Sequence, residues 1–279
     1  MQASDVMSSP VYVVSPTDNV AHARNLMLKH KISRLPVLAN AKLVGIITRK
    51  DIAYGLRHGE PLWRRRPIDR IPVHVVMSPD PITIIPETSI REIAALMVNN
   101  NISGIPVIEK ESIVGMVTKS DLLKSNIVSN LSSLAENIMS DVITVNRYNS
   151  LDHIIDLMRE RNDKIVVMNN DGSIGGIISE SNIAFFDYIN HDFGVPGKDV
   201  KILRKEESAG RKKLRYVMDV SAVAEDVMSR PVISVSLDAK ASNIVKLMKE
   251  HHIASVVVIN NGELKGIVKR DDIIREVAK

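Results

Sequence analysis

Four short segments of this chain share one arrangement: a glycine, two apolar residues, then a polar residue three positions ahead of an acid or amide. They read Gly45-Ile-Ile-Thr48-Arg-Lys-Asp51, Gly115-Met-Val-Thr118-Lys-Ser-Asp121, Gly176-Ile-Ile-Ser179-Glu-Ser-Asn182 and Gly266-Ile-Val-Lys269-Arg-Asp-Asp272. Two chemistries fit them. At the start of a helix, Thr-x-x-Asp resembles a capping box, in which hydroxyl and acid each satisfy an orphan backbone amide. The same residues suit an anion. A helix start offers free amides and the positive end of the dipole to a phosphate. The hydroxyl adds a donor, and a carboxylate one turn on can accept from two adjacent ribose hydroxyls, as an acid does in dinucleotide sites of unrelated fold. The glycine lets a backbone approach closely. Only the first two copies are complete; Asn182 replaces the acid in the third, and Lys269 the hydroxyl in the fourth. A cap the fold requires should persist in every copy, whereas a ligand site can decay in some. The variation therefore points to a ligand, and to the first half of the chain.

The elements that must position these residues are legible from a second marker. A Val/Ile-Met-Ser step falls at Met7-Ser8, Met77-Ser78, Met139-Ser140 and Met228-Ser229, and Met to Gly is 38, 38, 37 and 38 residues. Met to Met is 70, 62 and 89, so the variable lengths are connectors. A held internal ruler means one supersecondary module used four times. In the second copy, Pro81 to Ile85 reads as a short strand closed by Pro86. Ser89-x-x-Glu92 then opens a helix with Ile90, Ile93, Leu96 and Met97 on one face. Ile105 to Ile108 and Ile113 to Val117 are two strands about a polar turn, and a last helix begins near Thr118. The first copy follows the same order, with Val11 to Val14, Val20 to Lys29, Leu35 to Leu38, Leu43 to Ile47 and a helix from Arg49. This is a small α/β module of strand, helix, strand, strand, helix with one sheet face covered. One such unit is too small to stand alone, so neighbours should pair, giving two pairs.

Composition narrows the classes. At 279 residues the chain can form two ordinary domains, and 44% hydrophobic with 25% charged residues is a globular balance. No apolar run reaches the length of a membrane span, the N-terminus lacks signal-peptide regions, and cytoplasm is the expected compartment. The absence of cysteine excludes disulfides and thiol catalysis. A net charge of +4 is mainly a solvated basic surface. Two connectors are basic. Arg57, Arg64, Arg65, Arg66 and Arg70 surround Trp63, and the longest insertion carries Lys198, Lys201, Arg204, Lys205, Arg211, Lys212, Lys213 and Arg215. That insertion reads as a solvated loop or helix filling space, with a partner-binding arm as the alternative. Gly194 to Lys198 is too short for a phosphate loop, the eight histidines lack metal-ligand spacing, and there is no nucleophile elbow.

Together with Ile32-Ser33-Arg34-Leu35-Pro36-Val37 and Ile102-Ser103-Gly104-Ile105-Pro106-Val107, these markers resemble the cystathionine β-synthase (CBS) motif. The chain is similar to proteins with four such βαββα motifs in two tandem pairs, or Bateman modules, among them the gamma subunit of AMP-activated kinase and stand-alone archaeal proteins. The motifs are read as residues 1–56, 76–126, 138–188 and 226–279, joined by 57–75, 127–137 and 189–225.

The resemblance implies an α/β fold in which the two pairs form a flat disc. It implies a non-catalytic regulatory protein that senses AMP, ADP or ATP in clefts between motifs and signals to a partner protein such as a kinase, transporter or enzyme. Thr48 and Thr118 would face phosphate, with Asp51 and Asp121 on ribose. Tyr12, Ile82, Ile32 and Ile102 would line the adenine pocket beside Ser33 and Ser103, while Arg34 and Lys50 match phosphate-contacting positions. Ser179 and Asp272 would serve weaker sites in the second pair. No catalytic cofactor or metal is implied, and a homodimer is compatible. The alternatives are S-adenosylmethionine as ligand, or nucleic-acid binding through the basic connectors; with 3% aromatic residues, the latter has little stacking surface.

Overall fold

The computed structural model describes residues 1–55, 68–125, 128, 131–161, 164–185, 203–206, 212–215 and 222–279. By contacts the chain divides into two units, Met1–Val142 with Pro231–Lys279, and Ile143–Arg230.

In the first copy, α1 (Ala3–Val6) precedes α2 (Val20–Lys29), the antiparallel strands β1 (Arg34–Ala39) and β2 (Lys42–Thr48), and α3 (Arg49–Gly55). The second repeats this after β3 (Ser78–Pro79), with α4 (Ile90–Asn99), β4 (Gly104–Glu109), β5 (Ser112–Thr118) and α5 (Lys119–Lys124). The third comprises α6 (Ala135–Ile138), β6 (Ile143–Asn146), α7 (Leu151–Arg161), β7 (Ile165–Met168), β8 (Ile174–Ile178) and α8 (Glu180–Ala184). A hairpin of β9 (Leu203–Glu206) and β10 (Lys212–Arg215) follows. The fourth has α9 (Ala224–Val227), β11 (Ser234–Val235), α10 (Ala241–Glu250), β12 (Ser255–Asn260), β13 (Glu263–Lys269) and α11 (Arg270–Ala278).

Helical spacing sets the core. The long helix of each copy buries one stripe: Val20, Ala23 and Met27; Ile90, Ile93, Ala94 and Met97; Leu151, Ile154, Ile155 and Met158; Ala241, Ile244, Val245 and Met248. Ala94 takes the place expected of Leu96, which is partly buried. Within the first unit the second and fourth copies share a core through Met97, Leu122, Ile244, Ile273 and Val277.

The Met-Ser steps do not pack on their own copies. Ser8 bridges Met116 of the second copy, and β3 pairs with β2 of the first, Ser78 opposite Ile46. Ser140 bridges Ile267 of the fourth, and Ser229 bridges Ile177 of the third. The methionine of each step lies over the partner copy's glycine: Met7 on Gly115, Met77 on Gly45, Met139 on Gly266, Met228 on Gly176. A Cβ at Gly45 would fall 2.6 Å from the Met77 sulfur, so close approach is what requires these glycines. Pairing of neighbours is thus reciprocal, each copy lending its opening segment to the other.

The expected opening strands Val11 to Val14 and Pro81 to Ile85 are reduced to single parallel bridges, Val14 with Val37 and Ile84 with Val107. Proline explains the loss. In the fourth copy the Val257 amide donates to the Ile233 carbonyl at 3.1 Å. Pro36 and Pro106 occupy the position of Val257 and have no N–H to give Tyr12 or Ile82. The third copy, with Val166 there, forms a four-residue parallel strand.

Arg57, Arg64, Arg65, Arg66, Trp63, Lys198, Lys201, Arg211 and the Gly194 to Lys198 turn lie outside the described residues. Arg70 is exposed in a short 3-10 turn. The longer insertion contains the β9–β10 hairpin where a loop or helix is expected. Among the described residues no helix is long and apolar enough to cross a membrane, and no cluster of His, Cys, Asp or Glu could hold a metal.

Candidate functional site

Each Gly-h-h-Thr-x-x-Asp segment is a strand running into a helix, and the cap forms in all four copies. The amides of Thr48, Thr118, Ser179 and Lys269 donate to the side-chain oxygen three residues on, at 2.7, 3.0, 3.0 and 2.7 Å. Where a hydroxyl is present it donates to the same oxygen, at 2.7 Å for Thr48, 2.6 Å for Thr118 and 2.7 Å for Ser179. An amide oxygen caps as well as a carboxylate oxygen does. The expectation that a required cap would be invariant in residue type is therefore corrected: capping persists through the substitutions and does not by itself mark which copies bind.

The second polar atom of the acid or amide separates the copies. Asp272 Oδ1 accepts from Ser140 Oγ and from Arg275 Nη1, both at 2.8 Å, and its side chain is fully buried. Asn182 Nδ2 donates to the Val227 carbonyl at 2.8 Å and to Ser229 Oγ at 2.9 Å. In these copies the serine of the lent Met-Ser step closes the site. In the first pair the equivalent hydroxyls, Ser78 and Ser8, bond to no described residue. Asp121 Oδ1 accepts from exposed Lys124 at 3.0 Å. Asp51 Oδ1 has no hydrogen-bond donor among the described residues, while Oδ2 carries both cap bonds. Burial raises the Asp51 pKa above the ordinary 3.8 against the opposing pull of the Thr48 bonds, Lys50 and Arg34.

The remaining expected residues fall around these corners. Tyr12 is exposed, its ring stacked on His30 with centroids 3.7 Å apart. Ile82 is also exposed, and Ile32 and Ile102 are half-buried before β1 and β4. Arg34 Nη2 reaches across to the second copy, donating to Ser103 Oγ at 3.0 Å and more weakly to Ser33 Oγ at 3.3 Å. Burial lowers the Arg34 pKa to about 10, with Arg270 and Arg49 adding to the effect and Asp121 and Asp51 opposing it, so it stays cationic at neutral pH. Lys50 is exposed beside Asp51.

Four residues not singled out from sequence stand at the same place. Arg49 Nη2 donates to the Ile32 carbonyl at 2.9 Å, and Arg270 Nη2 does the same to Ile253 at 3.0 Å. Arg270 Nη1 also donates to Ser120 Oγ at 2.8 Å, and buried Lys119 pairs with Asp271. The signal was available: the residue after the hydroxyl position is basic in three copies, as Arg49, Lys119 and Arg270. Two open surface hollows, of about 500 and 480 Å³, are lined by the Asn169–Asp171 turn with Arg147 and Arg230, and by Asp18, His22 and Asp69; neither includes a corner residue.

Comparison with known proteins agrees with the repeat. The CBS domain family matches residues 3–58, 73–127, 135–187 and 223–279. Protein MJ1225 of Methanocaldococcus jannaschii is 24% identical over 96% of this chain and 95% of its own. The crystal structure of MJ1225, described as a proposed archaeal homologue of γ-AMPK, superposes with a TM-score of 0.78 at 20% identity over 99% of both chains, a likeness of fold. The inosine-5'-monophosphate dehydrogenase of Korarchaeum cryptofilum is 38% identical over 122 residues, 43% of this chain but only 23% of that enzyme. The chain spans less than half of several of the curated relatives it matches. By family match and by fold, this chain belongs to the CBS domain family and carries four copies of the domain.

Proposed function

We propose that the first two copies bind an adenine nucleotide, AMP, ADP or ATP, and that the chain is a non-catalytic regulatory module whose ligand-dependent shape is read by a partner protein. CBS domains commonly bind adenine nucleotides or S-adenosylmethionine in regulatory roles. One observation carries the assignment to the first pair: Asp51 keeps an acceptor oxygen unused and Ser78 an unbonded hydroxyl, where the second pair fills the same positions with its own serines. A ribose diol supplies the donors that Asp51 Oδ1 lacks. Tyr12 and Ile82 offer exposed apolar surface to a base, and Arg34 a cation to a phosphate.

The cations at the corner favour a phosphate over the sulfonium of S-adenosylmethionine, which makes that ligand the second reading. Binding shifts shape only by its difference in affinity between the two states. Calorimetric titration of the whole chain with AMP, ADP, ATP and S-adenosylmethionine tests the assignment. Nucleotide binding tighter than that of S-adenosylmethionine is expected. Binding of none of them overturns the reading, and preference for S-adenosylmethionine exchanges it for the second.

A further inference from the structure

The third copy departs from the other three at one place on its surface. In every copy the turn before the long helix offers a carbonyl to an amide of the lent opening segment, at 3.0–3.1 Å. That carbonyl belongs to Pro16, Pro86 and Leu237 in the others, and here to Arg147, whose amide partner is Glu225. The shared backbone bond needs neither side chain. Yet the two form an ion pair, Arg147 Nε donating to Glu225 Oε2 at 2.9 Å and Nη2 to Oε1. The β7–β8 hairpin is also one residue longer between Val167 and Gly176 than the others are between Val37 and Gly45, Val107 and Gly115, or Val258 and Gly266. Asp171 sits in that lengthened turn. Gly175 stands where the others have Val44, Val114 and Lys265, and Arg230 where their Met-Ser steps continue with Ser9, Pro79 and Asp141. Arg147, Asp171, Gly175 and Arg230 all line the one open hollow of about 500 Å³ within Ile143–Arg230.

Some groups at the hollow are committed and others are open. Arg147 is held by Glu225 and lies over the Tyr148 ring, 5.4 Å from its centroid. Arg230 is half-exposed and gives Glu225 only Nη2, at 3.3 Å; its Nε and Nη1 bond no described residue. Asp171 Oδ1 accepts from the Ser173 hydroxyl at 2.6 Å and amide at 2.9 Å, while Oδ2 accepts from no described residue. Those bonds, with Arg147 adding to them, hold the Asp171 pKa below the ordinary 3.8, so the group is anionic at neutral pH. Asn170 Oδ1 accepts from Asn146 Nδ2 at 3.1 Å, which leaves its own Nδ2 to donate. Gly175 makes room for Asn169, since a Cβ there would lie 2.7 Å from Asn169 Oδ1.

We propose that this hollow is a ligand site separate from the strand-to-helix corners, and that it takes a free α-amino acid, the carboxylate on Arg230 and the ammonium on Asp171. Charge decides the class. Two guanidinium groups and two carboxylates balance here, so a polyanion would bring its charge against Asp171 and Glu225. With Arg147 and Glu225 neutralising each other, one open cation and one open anion remain. A zwitterion meets both by charge-assisted hydrogen bonds. Asn169 and Asn170 add neutral polar groups to the wall. Nucleotide binding at the corners neither requires nor excludes this ligand, because no corner residue lines the hollow.

The test is calorimetric titration of the full chain with the free L-α-amino acids, carried to millimolar concentration because the hollow is open to solvent. At least one is expected to bind the parent. Arg230→Gln and Asp171→Asn should each weaken it by about tenfold or more, the loss of one charged partner. Asp171→Asn keeps an oxygen for the Ser173 bonds, so its turn still forms. Gly175→Ala, which displaces Asn169, should weaken binding too. The matching amine without the carboxylate, and the acid without the ammonium, should each bind about tenfold or more weakly than the intact amino acid. Binding of no amino acid overturns the site, as does binding that both charge variants leave unchanged. An acid that binds as tightly as its amino acid, with no response to Asp171→Asn, marks a plain anion site and overturns the zwitterion. AMP affinity should be the same in the parent and in both charge variants; equal losses of AMP and amino-acid affinity overturn the separation of the two sites.

Discussion

Asp51 does two jobs with two oxygens. Oδ2 caps α3, and Oδ1 stays open in a setting that already disfavours the charged form. The third copy shows what removing the charge does, since Asn182 caps its helix through Oδ1. Asp51→Asn should therefore fold with an unchanged or slightly raised thermal midpoint and lose adenosine affinity, measured by calorimetry. The pH dependence follows from the sign of the shift. With its pKa raised in the folded state, Asp51 takes up a proton more readily folded than unfolded, so the stability it contributes declines as pH rises through the range above 3.8. Ribose hydroxyls donate to the carboxylate, so affinity should rise over that same range and then level off; in Asp51→Asn it should be flat. The Thr–Asp pair was legible in the sequence because its spacing is local. Its closure by Ser140 and Ser229 in the second pair was not, because those serines arrive from another copy.

At the scale of the element, what the sequence left open was how the first strand ends. Its apolar runs predict a strand in every copy, yet strand length follows the donor opposite it. Val257 and Val166 have an N–H and their partners form two and four residues of strand; Pro36 and Pro106 have none, and only a bridge remains. The loss leaves the Tyr12 and Ile82 segments exposed and outside the sheet. Pro36→Val restores the donor. The expected outcome is a hydrogen bond to the Tyr12 carbonyl, seen as amide protection at residue 36, with stability held and affinity for adenosine reduced as the segment joins the ladder. The helices and hairpins were readable to within a residue or two, since apolar spacing and polar turns act within one copy. The length of a parallel pairing depends on a second strand far along the chain, and hydropathy is blind to it.

Across the whole molecule, copies are joined by contacts that repeat counting does not reveal. Lys119 is only 5% exposed, and its charge is met by Asp271 of the fourth copy. Asp271→Asn should cost about 1–3 kcal/mol in denaturant unfolding, at the lower part of the range for stranding a buried cation because Asp271 itself is partly exposed. Lys119→Met should restore part of that loss in the double variant, since an apolar chain of similar length needs no partner.

The lent Met-Ser steps also set an order of events in time. Ser78 reaches back to Ile46 and Ser229 to Ile177, both already made when the step emerges. Ser8 waits for Met116, and Ser140 for Ile267, across most of two copies. Contacts that close long loops form late. During synthesis, then, the second and fourth copies find their borrowed segment already made, whereas β2 of the first copy and β8 of the third emerge before the segment that covers them and hold an open sheet edge until Ser78 and Ser229 follow. The window in which those edges are bare is the interval when a second nascent chain can supply the same segment in trans.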